Sequence, residues 1–248
     1  MDPSTPVLEI CANSYQSARN AQDGGAHRVE LCQNLEQGGI TPSYGLIKRC
    51  SGTLNIPVYV LIRPRPGNFV YSNDEFDIML EDISMCRDLG VAGVVVGALH
   101  ADNTIDIPQT RRMVEMAKPL HVTFHRAIED CEDQRQAVED VIDTGCSRIL
   151  VSGMGNAIIE KLDSIGRMVE QAGNRIEIMP GGGVTSENVQ QVLTHTGARS
   201  VHASAKSRRP KTNTAMRSKF DVEEIESNKT LIEELLSLMR RLRAPSVA

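Results

Sequence analysis

The sequence predicts a single (β/α)8 barrel, the TIM-barrel architecture, and three observations carry the prediction. Four segments share one grammar: a polar helical stretch, a Gly, two or three small or polar residues, then an apolar strand. They read "GGAHRVELC" from Gly24, "LGVAGVVVGA" from Leu89, "TGCSRILVSG" from Thr144 and "TGARSVHASA" from Thr196. A Gly that closes a helix in the left-handed conformation and leads straight into a strand is a common αβ joint. Four more strand candidates alternate with these: "VLEICA" from Val7, "PVYVLIRP" from Pro57, "HVTFHRA" from His121 and "IEIMPGGG" from Ile176. Finally, each strand is followed by a helical stretch, and 248 residues is the length such a barrel needs, about 250. A doubly wound open sheet is the runner-up, but no domain boundary or switch-point fingerprint supports it.

The elements follow in order. The first strand leads to a helix near 14–23. The second ends in "QNLEQGGITPS", where Gly38-Gly39 and Thr41-Pro42-Ser43 form a loop and Ser43 is the natural N-cap of a helix at 43–50. Further helices are expected near 74–89, 108–117, 133–143, 158–171 and 186–193. After the last strand comes a basic loop, about 206–228, the least regular part of the chain. A C-terminal helix at 229–242 carries Leu231, Ile232, Leu235, Leu236 and Met239, which should pack on the barrel. The whole chain, 1–248, reads as one domain.

A hydrophobic share of 40% is ordinary for a globular protein, whereas aromatics are scarce at 3% with no Trp, so Leu, Ile, Val, Met and Ala must fill the core. A net charge of -5 argues against nucleic acid as the main partner. The clusters "KSRRPK" (206–211) and "RRLR" (240–243) read as solvated charge first and as a nuclear signal second. The N-terminus has no basic start or apolar run of a signal peptide, and no stretch approaches the roughly 18 apolar residues of a membrane span. The expected location is the cytoplasm, with the nucleus as the lesser alternative. The six cysteines, at 11, 32, 50, 86, 131 and 146, include no Cys-x-x-Cys pair, which excludes a zinc knuckle and a thioredoxin motif. In this context disulfides are not expected.

Side-chain period two sorts the strand residues into those facing the helices and those facing the barrel axis. With Leu8, Ile10, Val29, Leu31, Val58, Val60, Val122, Phe124 and Val201 outward, the same parity gathers Glu9, Glu30, Arg63, His125 and His202 in the upper barrel, where barrel active sites sit. His121 and His125 lie about 13 Å apart on an extended strand and cannot share an ion; His121 reads as a satisfied residue at the bottom of the barrel. Cys11 and Cys32 also point inward at adjacent strand ends, about 4.8 Å apart if their heights match. Two soft thiolates without a third Cys or His at metal-site spacing suit Cu(I). After the seventh strand, Gly181, Gly182 and Gly183 lead into a helix, with Ser204 beside them. This is either a phosphate cradle or a tight turn. A buried, charge-balanced network is the bland reading of the whole group, although burying so many charges is costly unless they are paired.

Taken together, "LEICANS", "GGAHRVELC", "GGITPS", "IRPRPGNFVYS", "TFHRA", "MPGGGVT" and "VHASA" resemble the CutC family of copper-homeostasis proteins, in particular its animal members, almost end to end. The resemblance implies a (β/α)8 barrel, a homo-oligomer, a cytoplasmic location and Cu(I) binding. In animal members copper is attributed to two cysteines that fall here on Cys11 and Cys32. The segment after "VHASA" is shorter than in those relatives. Copper binding by two thiols gives no role to the remaining mouth residues. The alternative is therefore an enzyme acting on a small phosphorylated or carboxylated metabolite. In that reading Glu9 or Glu30 is the base and His125 the acid, with His202 as a candidate to share that role. Arg63 is a two-pronged anion clamp, and Gly181–Gly183 with Ser204 form the anion site.

Overall fold

The computed structural model describes residues 6–152, 158–208 and 225–242. Strands β1 (Val7–Ala12), β2 (Arg28–Leu31), β3 (Val58–Leu61), β4 (Gly93–Val96), β5 (His121–Phe124), β6 (Arg148–Val151), β7 (Glu177–Pro180) and β8 (Ser200–Ala203) form one parallel sheet. Its hydrogen-bonded order is β7-β6-β5-β4-β3-β2-β1-β8. The Ser200 hydroxyl donates to the Glu177 carboxylate across the β7–β8 seam and brings the first and last strands of that order together. The expected barrel is therefore the observed one.

Helices α1 (Tyr15–Asp23), α2 (Tyr44–Thr53), α3 (Asn73–Asp88), α4 (Ile107–Ala117), α5 (Gln134–Thr144), α6 (Leu162–Ala172) and α7 (Val189–Thr196) connect successive strands, and α8 (Lys229–Arg241) follows the last. Side-chain oxygens of Ser14, Ser43, Ser72, Asp106 and Asp133 accept from backbone N–H groups and start five of them, which removes donors that a helix end would otherwise leave orphaned. At Ser72 the bond is reciprocated by Glu75 in a full capping box. Helix α7 starts later than the pattern suggests. Thr185 donates its N–H to the Asn188 side chain, which bonds back to the Gly183 carbonyl, and this turn consumes the predicted first residues.

Outward-facing strand residues such as Leu8, Ile10, Val29, Leu31, Val60 and Phe124 are fully buried against the helices. A second, smaller apolar cluster of Cys11, Cys32, Tyr59, Leu61 and Val95 fills the axis. The two faces of each strand thus sort as the parity requires. Helix α8 buries Ile232, Leu235, Leu236 and Met239. The basic loop is partly regular: β9 (Lys206–Arg208) pairs antiparallel with β10 (Ile225–Ser227), and 209–224 lie outside the described residues. His121 is exposed rather than a satisfied core residue; it opens β5, where the strand emerges at the bottom of the barrel. No described helix is long and apolar enough to cross a membrane.

Candidate functional site

The site begins with register. Glu9 is level with Arg28 on one side and His202 on the other, and Cys11 is level with Glu30. Cys11 and Cys32 are therefore diagonal rather than level, unlike the matched heights that would put two thiols directly opposite. Their side chains still converge, with the Sγ atoms 3.4 Å apart.

Below them lies an ion network. The Arg28 Nε donates to Glu9 Oε2 at 2.6 Å, and the His202 Nδ1 meets Glu9 Oε1 at 2.8 Å and Glu30 Oε2 at 3.4 Å. Arg148 donates to Glu177 at 2.6 Å, reaches Glu9 at 3.9 Å, and bonds the Thr123 hydroxyl at 3.2 Å. The Arg28 and Arg148 guanidinium groups both lie over the Tyr59 ring, 5.6 and 5.3 Å from its centroid. Parity applied one step further would have found these arginines: Arg28 precedes Glu30 by two, and Arg148 alternates with the outward Ile149.

The network divides the titrations. Burial pushes the Glu9 carboxyl up, but Arg28, His202 and Arg148 outweigh it and hold Glu9 at about 2. Burial raises Glu30 to about 7; His202 pulls it down and the Glu9 charge pushes it up. Burial disfavours a charge on His202, yet its bonds to Cys11 and Glu9 and the two carboxylates lift it well above the usual imidazole range. The bond to Cys32, followed by burial, raises the Cys11 thiol.

His125 and Arg63 stand apart from this network. The His125 Nδ1 accepts the Ala127 N–H at 3.1 Å, capping the short 3-10 turn Arg126–Asp130. Burial, reinforced by Arg63, depresses His125 to about 3, so near neutrality it is an uncharged imidazole and not the strong proton donor that a general acid requires. A Cβ on Gly97 would lie 2.4 Å from this ring, so the glycine makes room for it. The fork of Arg63 is spent on backbone: NH1 bonds the Gln37 and Gly39 carbonyls at 3.2 and 2.8 Å, and NH2 bonds Gly67 at 2.6 Å. The fork therefore ties two loops together, and only its Nε is left buried without a partner. The polar stretch after β2 gains its explanation too, since Gly38 and Gly39 both take φ of 87° and wrap their backbone around that guanidinium.

The glycine turn after β7 also differs from a full phosphate cradle. Gly181 is buried and its N–H is already committed to the Val151 carbonyl at 2.7 Å. Gly182 and Gly183 are exposed, and Ser204 is half-buried. The Glu129 carboxylate accepts the Ser152 N–H at 2.5 Å, placing a negative charge at the neighbouring strand end. Cys11, Cys32, Glu30, Arg63, Phe69 and His125 all line one cavity of about 300 Å³, with His202 at its floor. The ligand atoms of Cys11, Glu30 and His202 lie within 4.8 Å of one another.

Residues 6–207 match the CutC family model. The chain belongs to the CutC family. A CutC relative from Chromobacterium violaceum is 48% identical over 200 residues, 81% of each chain. One from Photobacterium profundum is 38% identical over 244 residues, covering 96% of this chain and 100% of the relative, so family likeness extends past β8 into the tail. The crystal structure of CutC from Streptococcus agalactiae, named for copper homeostasis, superimposes with a TM-score of 0.76 at 39% identity, over 80% of this chain and 98% of that one. These relatives are bacterial, and they lend no support to the affiliation with animal members specifically.

Proposed function

We propose that this chain is a cytoplasmic copper-handling protein that takes Cu(I) between the thiolates of Cys11 and Cys32. The carrying observation is the 3.4 Å separation of two free, buried sulfurs in the wall of a cavity. Two soft sulfur donors favour Cu(I) over hard cations. Family membership, and the naming of the Streptococcus agalactiae CutC for copper homeostasis, support the same reading. His202 and Glu30 stand beside Cys11, so the donor set is wider than a bare thiol pair. A nitrogen or oxygen donor can join the two sulfurs, and such a mixed set also suits tetrahedral Zn²⁺. Copper is cargo in this reading, and the carboxylate–guanidinium network beneath keeps His202 oriented.

The test is anaerobic titration of Cu(I) against a chromophoric chelator, with Zn²⁺ in a parallel arm. About one tightly held Cu(I) per chain is expected, lost when Cys11→Ala and Cys32→Ala are combined. Unchanged stoichiometry in that double variant, or Zn²⁺ bound in preference to Cu(I), overturns the assignment. We also propose a homo-oligomer, checked by light scattering at micromolar concentration, for which a strictly monomeric mass is the opposing result.

A further inference from the structure

Arg63 is a buried guanidinium without a counter-charge. It is 5% exposed, its fork bonds three carbonyls, and it makes no ion pair among the described residues. The other inward arginines differ: Arg28 ends on Glu9 and Arg148 on Glu177. A buried charge without an opposite charge is costly, and a ligand that supplies one removes the cost. Its Nε is buried with no hydrogen-bond partner.

His125 supplies a second orphan in the same cavity wall. It is also 5% exposed. Because its Nδ1 accepts from Ala127, the ring proton sits on Nε2, and that atom is buried and unpartnered. Phe69 packs against both, its ring centroid 5.0 Å from the Arg63 Cζ and 4.8 Å from the His125 ring. Two adjacent buried donors, one cationic, over an aromatic face form a built site, because buried polar groups in folded proteins are almost always satisfied.

We propose that this end of the cavity binds the carboxylate of a small monocarboxylic acid, one oxygen on Arg63 Nε–H and the other on His125 Nε2–H, with the acid's apolar body against Phe69. The fit favours a carboxylate over a phosphate. Two buried nitrogens of this wall are left without any partner, the Arg63 Nε and the His125 Nε2, and they match two carboxylate oxygens. Asp130 lines the same cavity, and the other arginine in its wall, Arg126, is already paired with Glu129, which leaves the second charge of a dianion unanswered there. The Gly181 N–H that a phosphate would need is already bonded within the sheet. None of these donors belongs to the thiol pair, so this site stands or falls apart from copper binding.

Saturation-transfer NMR and thermal shift on the full chain, with acetate, pyruvate, L-lactate and benzoate as probes, test it. Acetamide and inorganic phosphate serve as controls. At least one carboxylate should bind saturably and raise the melting temperature, while acetamide does neither. In His125→Asn the Asn oxygen can still cap Ala127 but the Nε2 donor is gone, and affinity should fall about ten-fold or more, as for loss of a charge-assisted hydrogen bond. Should that variant fail to fold, imidazole ¹⁵N spectra of the unaltered protein decide. The His125 Nε2 signal should move with the bound carboxylate and not with acetamide. No saturable binding by any of the four acids, binding indifferent to His125→Asn, a stationary Nε2 signal, or phosphate bound in preference overturns the proposal.

Discussion

Replacing Glu9 by Gln should destabilise the protein by an amount that the geometry sets, and the loss should depend on pH. Glu9 is 1% exposed and takes Arg28 at 2.6 Å and His202 at 2.8 Å. Its carboxyl sits at about 2 against an ordinary 4.5. Burial opposes that depression and the three cations produce it. At 1.36 kcal/mol per unit, the depression corresponds to about 3 kcal/mol of folding free energy. An independent route gives a similar figure, since removing one partner of a buried ion pair costs about 3–5 kcal/mol. A carboxyl held below its unfolded value stabilises the fold fully above pH 4.5, and this contribution disappears as pH falls toward and through 2. Glu9→Gln keeps the side-chain volume and discards the charge. Urea denaturation at pH 7 should therefore show it about 3 kcal/mol less stable, a melting temperature drop of about 6–12 °C for a chain of this length. The difference should shrink steadily between pH 4.5 and 2. A variant as stable as the parent at pH 7, or a deficit that persists unchanged at pH 2, would refute the reasoning.

Other expectations follow from packing. Gly97→Ala sets a methyl group 2.4 Å from the His125 ring and should cost about 1–3 kcal/mol, measured by urea denaturation. Ser72→Ala deletes one half of the capping box and should lower stability by about 1 kcal/mol, read as a small fall in melting temperature. Leu236→Ala empties a buried position of α8 and should cost about 2–5 kcal/mol in the same denaturation experiment. A cost below 0.5 kcal/mol would mean that α8 contributes little to the barrel's stability.

The fold was legible because two independent signals agree along the chain. Helix-closing glycines such as Gly145, which takes φ of 85°, mark where helix hands over to strand. The alternation of residues such as Leu8, Glu9, Ile10 and Cys11 shows which side of each strand meets helices. What local pattern cannot deliver is stagger. Cys11 is level with Glu30 and not with Cys32, because neighbouring strands of a barrel are sheared against each other, and no single strand carries that information. The same limit explains His121, whose parity is inward but whose place at the open foot of β5 leaves it exposed.

The mouth shows why a list of inward polar residues does not yet define a site. Glu9, Glu30 and His202 came together as the parity required, but their partners Arg28 and Arg148 begin their strands, outside the apolar runs that drew attention. Once those partners are placed, the inward charges separate into two sets. Glu9 is saturated by three cations and is inseparable from the stability of the fold. Arg63 looks equally saturated by its contacts, yet every acceptor it meets is a neutral carbonyl. Hydrogen-bond counting treats the two alike, whereas charge counting does not. An arginine whose geometry is fixed by backbone and whose charge is left unanswered is pre-organised toward whatever enters the cavity, because no side chain must be released before a ligand binds. That asymmetry, absent from the sequence and visible only when each partner is named, separates the charges that hold this barrel together from the one proposed to meet a ligand.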